Sequence, residues 1–259
     1  MNHSEKREFL IQSLLDERCF CQDEEIPQDS EQQKILLRGL MNVRQPAAAD
    51  PEFLKIQDEY LQEETAAKGV TDAADLAPLR HGLYLWQGDI TTLRCDAIVN
   101  AANSGMTGCY IPNHRCIDNA IHTFAGVELR QYCEEMMQRQ RCPEPTGQAK
   151  ITPAFNLPCR YILHTVGPIV SGRVTARDKE LLASCYRSCL ELAAENGLES
   201  VAFCCISTGE FHFPNDLAAE IAVQTVKDFL KRDTSVQKVI FNVFKDIDRE
   251  LYEKQLRLR

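Results

Sequence analysis

The chain has 259 residues, 44% hydrophobic and 26% charged, with a formal net charge of −9. That length buries a full core, enough for one large domain or a domain with an appendage, and the composition is that of an ordinary soluble globular protein. The negative balance excludes broad attraction for nucleic acid or an anionic membrane surface, although backbone amides and helix N-termini can still hold a small anionic ligand.

Residues 1 to about 76 read as helices separated by polar breaks, with Ser4, Asp29 or Ser30, and Asp50 as N-caps, the last followed by Pro51 at the first helical position. The polar start MNHSEKREF does not read as a signal peptide, and no stretch approaches the roughly 18 continuous apolar residues of a membrane span. Apolar stripes at Leu10 and Leu14, at Leu37 and Leu40, and at Phe53, Ile56 and Tyr60 need cover. The segment is therefore read as a helical extension (1–76) packed on a main domain (77–259), as structural support rather than a lid.

In the main domain, Leu83 to Ile90 alternates and ends in Gly-Asp, a strand entering a loop, and Asp96 to Val99 is a second strand. Ile117 to about Arg139 is helical with a break at Gly126, and Lys150 to Ala154 and Tyr161 to Val166 are strands. Asp178 is placed as the cap of a helix through Glu195, stopped by Asn196-Gly197, and Val201 to Ile206 reads as a fully buried strand. A helix from Asp216 to Lys231, a strand from Lys238 to Phe244 and a helix from Asp246 to Leu258 complete the chain. The alternation of strands and helices predicts an α/β domain of three layers, α/β/α, around a mixed central sheet.

Twelve cysteines without a signal peptide point to a reducing cytoplasm rather than a disulfide framework, and Cys185, Cys189, Cys204 and Cys205 fall on apolar faces where thiols pack as small hydrophobes. Cys109, His114 and Cys116 differ. They form a C-x4-H-x-C cluster in a polar, glycine-bearing loop and offer two thiolates and an imidazole, three of the four positions of a tetrahedral zinc. A catalytic Zn2+ with an open position is preferred over a structural zinc completed by His122, Cys133 or Cys142, over unmetallated thiols, and over a cysteine nucleophile paired with His114 or His122. Asp118, two residues further on, is read either as an acceptor or general base beside the metal or as the cap of the following helix.

In sheets of this kind the ligand lies in the crevice at the carboxyl ends of the strands. Gly88-Asp89-Ile90, Asn100 to Gly108 and Ser207 to Pro214 leave such ends, and they converge if their strands are neighbours. Asp89 is an acceptor for an exocyclic amine or the cap of a turn, and the Ser207 loop before a helix favours a diphosphate.

The segments Gly88 to Thr91, Ala97 to Asn103 (AIVNAAN), Gly147-Gln148-Ala149, His164 to Pro168 and Ser207 to Phe211 resemble the successive signatures of a macrodomain, the ADP-ribose-binding fold, over roughly residues 80 to 256. The Cys/His-bearing insert and the loop ISTGEFHFP are similar to those of the zinc-dependent protein-ADP-ribose hydrolases of microbes. The resemblance implies that Asp89 and the Ile90 amide take adenine. It implies that Ser207, Thr208, Gly209, Glu210 and Phe211 wrap the diphosphate, with Phe211 along the distal ribose or the adenosine side, and that Asn103 contacts the distal ribose. Asn100 either joins it or holds the loop together. Glu210 stands where metal-free macrodomains carry a small aliphatic residue, and is expected to orient a water or bind a loop N–H. The implied function is zinc-dependent removal of mono-ADP-ribose from modified protein side chains. A mono-ADP-ribosylated protein would be the partner and ADP-ribose the product. The neighbouring readings are an ADP-ribose reader without catalysis and an O-acyl-ADP-ribose deacylase.

Overall fold

The computed structural model describes residues 1–18 and 25–257. The N-terminal helices are α1 (His3–Asp16), α2 (Ser30–Val43) and α3 (Pro51–Lys68). Asp29 and Asp50 cap α2 and α3 as predicted, each side chain accepting a first-turn amide. The cap of α1 is Asn2 rather than Ser4, because Asn2 and Glu5 exchange side-chain-to-backbone bonds in a capping box that starts earlier than Ser4. Leu10, Leu14, Leu37, Leu40, Phe53, Ile56 and Tyr60 bury into one cluster of their own, which Val127 joins.

The rest of the chain folds around a six-stranded sheet. Its strands are β2 (Leu83–Gln87), β4 (Ala97–Ala102), β5 (Ala149–Pro153), β6 (Tyr161–Val166), β7 (Ser200–Phe203) and β8 (Lys238–Val243), in the order β2-β8-β7-β4-β6-β5. All neighbours are parallel except β5 and β6, so the sheet is mixed. The short strands β1 (Thr71–Asp72) and β3 (Leu93–Arg94) form a separate parallel pair.

Helices α6 (Ala176–Glu195), α7 (Asn215–Phe229) and α8 (Asp246–Arg257) pack on one face, and α4 (Ile117–Ala125) and α5 (Val127–Gln140) on the other, giving the three layers expected. Helices α2 and α3 pack outside α4. The predicted end of the last helix, Leu258, lies outside the described residues.

Several sequence-based boundaries shift, while the break at Gly126 stands where it was expected. Thr175, not Asp178, caps α6; Asp178 occupies the third helical position and bonds back to the cap, completing a capping box. β7 ends at Phe203, so Cys204 to Ile206 belong to the loop leaving the sheet. Gly126 separates α4 from α5 at φ 101°, where an added Cβ would also press on the amide of Gln57.

Candidate active site

Because β2, β8, β7 and β4 run parallel, their carboxyl ends share one edge of the sheet. The loops that leave this edge follow in space the order β2, β8, β7, β4: Asp89, then Phe244, then the 204–214 loop, then the segment 103–116. The neighbour condition set by the sequence holds for β7 and β4, which pair directly, while β8 stands between them and β2. From β2 to β4 there are three inter-strand steps, about 14 Å in all.

At the β2 end, Asp89 Oδ1 accepts from Thr91 N at 3.0 Å and Thr91 Oγ1 at 2.6 Å, capping a short 3-10 turn. Oδ2 faces Lys68 Nζ at 3.2 Å. Burial opposes ionisation of Asp89, but the Thr91 bonds and the Lys68 charge outweigh it and hold its carboxyl below the ordinary value. The Ile90 N–H, expected to assist Asp89, has no acceptor among the described residues. Phe244 follows β8 and is 77% exposed, a bare aromatic face beside this turn. In the sequence it reads only as the end of a strand; its signal is an aromatic at a strand terminus on the ligand edge.

The loop after β7 is tightly wound. Ser207 (φ 64°) and His212 (φ 55°) take left-handed backbone, and Phe213 N donates to Ser207 O while His212 N donates to Gly209 O. Those bonds leave the N–H groups of Gly209, Glu210 and Phe211 without acceptors among the described residues, a set of donors suited to anionic oxygens. Ser207 Oγ is buried without a partner among the described residues. Its hydroxyl presses so closely on Gly167 that a side chain there would overlap it. Phe211 is half-buried and tied by its carbonyl to Val170 N at 2.9 Å.

The segment after β4 brings Cys109, His114 and Cys116 together, with their ligand atoms all within 4.8 Å of one another. His114 Nδ1 lies 3.4 Å from Cys109 Sγ. Zinc bonds of about 2.0–2.3 Å in a tetrahedron place donors about 3.3–3.8 Å apart, so the spacing and the donor chemistry fit a zinc ion. His114 Nε2 is 3.5 Å from Glu210 Oε1, which ties this segment to the 204–214 loop. Glu210 thus meets the imidazole on the side away from the thiol, the arrangement in which a carboxylate fixes the orientation of a metal-binding histidine. Burial pushes the Cys116 thiol up to about 12, so ion uptake must displace its proton. Of the proposed fourth ligands, Cys142 is exposed, whereas His122 and Cys133 group instead with His164 in the core.

Asp118 does not cap α4. Cys116 does, its Sγ accepting from Asn119 N at 3.4 Å. Asp118 is buried, Oδ1 accepting from Asn100 Nδ2 at 2.8 Å and Oδ2 from Asn103 Nδ2 at 3.2 Å. Burial raises its carboxyl to about 6 against the pull of these bonds and of Arg130. Asn103 also donates to Gly108 O and accepts from Gly105 N, so it staples the entry of the metal-type segment. Asn100 is fully buried and also contacts His164 Nδ1 at 3.1 Å.

Residues 99–222 match the Macro domain family model. A protein of Treponema medium named protein-ADP-ribose hydrolase is 59% identical over 98% of this chain and 99% of its own length. The chain belongs to the macrodomain family. Among solved macrodomains, a mutant from Oceanobacillus iheyensis with ADPR superposes with TM-score 0.64 at 38% identity, covering 70% of this chain and 96% of that one. A Trypanosoma brucei macrodomain in complex with ADP-ribose gives 0.65 at 31%, covering 83% and 94%. The Treponema relative spans the N-terminal helices as well as the macrodomain, whereas the Oceanobacillus macrodomain is matched almost whole by 70% of this chain.

Proposed function

We propose that this protein is a zinc-dependent hydrolase that removes mono-ADP-ribose from modified protein side chains. The observation that carries the proposal is the order of groups along the sheet edge. An acceptor for an exocyclic amine, an aromatic face, a nest of free amides and a thiol–imidazole–thiol trio succeed one another from β2 to β4. ADP-ribose carries adenine, a diphosphate and a terminal ribose in the same order.

In this reading Asp89 Oδ2 and the Ile90 N–H bind the adenine edge and Phe244 offers it a stacking face. Ser207 Oγ and the amides of Gly209, Glu210 and Phe211 take the diphosphate, with Thr208 shaping the turn. Asn103, held by Asp118, orients the terminal ribose. Cys109, His114 and Cys116 hold the zinc, with Glu210 behind the imidazole. When bound, the ion supplies Lewis acidity that lowers the pKa of water or polarises a ribose oxygen. Water adds to C1″ as the bond from C1″ to the acceptor atom breaks; the acceptor keeps that electron pair and takes up a proton. ADP-ribose and the unmodified protein leave. Among the described residues ten cysteines are free and no helix is long and apolar enough to cross a membrane, consistent with a place in the cytoplasm.

The test is release of ADP-ribose from a modified acceptor protein by the native protein, the chelated protein and Cys116→Ala. Release falls to background in the last two, and added zinc restores only the chelated sample. Equal release in all three overturns the zinc mechanism.

A further inference from the structure

The segment that carries the metal-type trio is not self-supporting. Between β4 and α4 it has left-handed backbone at Met106 (φ 62°) and, less costly for that side chain, at Asn113 (φ 56°), a geometry that leans on the surroundings to hold it. Two side chains of α2 supply much of that hold. Arg38 Nη2 donates to His114 O at 3.2 Å and to Asn119 Oδ1 at 2.9 Å, and Arg38 Nε reaches the same oxygen at 3.3 Å. Asn119 passes the grip on: its Nδ2 donates to Ile111 O at 3.1 Å and Cys109 O at 3.5 Å, and its backbone N donates to Cys116 Sγ. Asn42, 1% exposed, accepts from Asn113 N at 2.9 Å and donates to Thr123 Oγ1 at 2.9 Å.

One guanidinium therefore touches the His114 carbonyl directly and reaches Cys109 and Cys116 through one residue, Asn119, whose side-chain amide meets Cys109 O and whose backbone N–H meets Cys116 Sγ. The helix that bears it is fixed from behind, since Leu37, Leu40 and Met41 of α2 are buried in the cluster of the N-terminal helices. Gly39 lets α2 come close: a Cβ there would stand 3.1 Å from Asn113 Nδ2. At the other end of the cleft, Lys68 of α3 pairs with Asp89 at 3.2 Å and lies 3.3 Å over the ring of Phe124. The helices thus meet both ends of the ligand edge.

We propose that the N-terminal helical unit, which we delimit at residues 1–76, is a working part of the metal centre. Arg38 and Asn42 are positioning residues that hold Cys109, His114 and Cys116 in binding geometry. This rests on the zinc reading given above. Loss of a group that orients a metal ligand typically costs about 10- to 100-fold in metal affinity.

The experiment measures zinc affinity by competition with a chromophoric chelator and the spectrum of the cobalt(II)-substituted protein. The proteins compared are the native chain, Arg38→Gln, Arg38→Lys, Asn42→Ala and, as a control within the same helices, Arg44→Gln. Arg44 pairs with Glu17 and its side chain does not reach the metal segment. The native chain and Arg44→Gln bind one zinc alike. Arg38→Gln and Asn42→Ala bind it about 10- to 100-fold more weakly with a shifted cobalt spectrum, and Arg38→Lys recovers part of the loss. Zinc affinity unchanged in Arg38→Gln and Asn42→Ala overturns the proposal, as does an equal loss in Arg44→Gln, which would reduce the helices to general support. A native chain that takes up no zinc instead overturns the metal reading itself, a distinct outcome.

Discussion

Ser207 is the residue at which stability and binding pull apart. Its hydroxyl is buried without a partner among the described residues, and its backbone sits at φ 64°. A buried hydroxyl without a bond costs the fold its desolvation, on the order of 1–3 kcal/mol, which a ligand oxygen can return. Ser207→Ala keeps the same Cβ and is expected to leave the urea midpoint unchanged or higher, while ADP-ribose affinity by calorimetry drops about 5- to 30-fold, the equivalent of about 1–2 kcal/mol. A destabilised variant that binds as well as the native protein contradicts the role given to this loop. The loop was legible in the sequence as a turn of successive amides, but the orphaned hydroxyl was not, since only the packing of Gly167 against it fixes where it points. Lys68 and Phe244 escaped for a similar reason: a lysine ending a helix and an aromatic ending a strand look like ordinary surface until the sheet edge gathers them beside Asp89.

Among the elements, helix ends were harder to place than helices. Ser4 and Asp178 are good capping residues, and both lie within the first turn after the residue that caps, because Asn2 and Thr175 each complete a reciprocal box with an acid three positions on. The break at Gly126 was visible, and its partner was not. Gln57, 0% exposed, accepts from Val127 N at 2.8 Å and so satisfies the start of α5 from across the interface with α3. Gln57→Ala strands that amide in the interior and is expected to cost about 1–3 kcal/mol in urea denaturation. No measurable change would show that water reaches the α5 start and that α3 docks more loosely than its contacts imply.

For the whole molecule, the sequence carried the layer architecture, because alternating strands and helices admit few arrangements. Strand order is a non-local property and was not legible, and with it the sequence of chemical groups along the ligand edge. The helical extension shows no motif, and nothing in the sequence marks Arg38 or Asn42; only their contacts with the 103–116 segment single them out. The core also carries a pH liability. His164 is fully buried between Asn100 and Thr152, and burial lowers it to about 3; buried His122 is lowered as well. Since the unfolded chain binds protons at these imidazoles below about pH 6.5 and the native chain does not, their stabilisation is complete above that value and is lost as pH falls towards the folded pKa. Between pH 6.5 and 5, His164 alone is expected to remove about 2 kcal/mol, so the urea midpoint of the native chain falls more steeply than that of His164→Gln. Parallel slopes would contradict neutral burial.

In the proposed centre, Cys109, His114 and Cys116 hold a metal with a side open to the terminal ribose of bound ADP-ribose. Anomalous diffraction at the zinc edge from crystals of the ADP-ribose complex measures it directly. One peak is expected between the two sulfurs and the His114 imidazole, with the terminal ribose next to it and adenine at Asp89. A peak enclosed by four protein donors, a peak remote from the ribose, or none at that trio would contradict it.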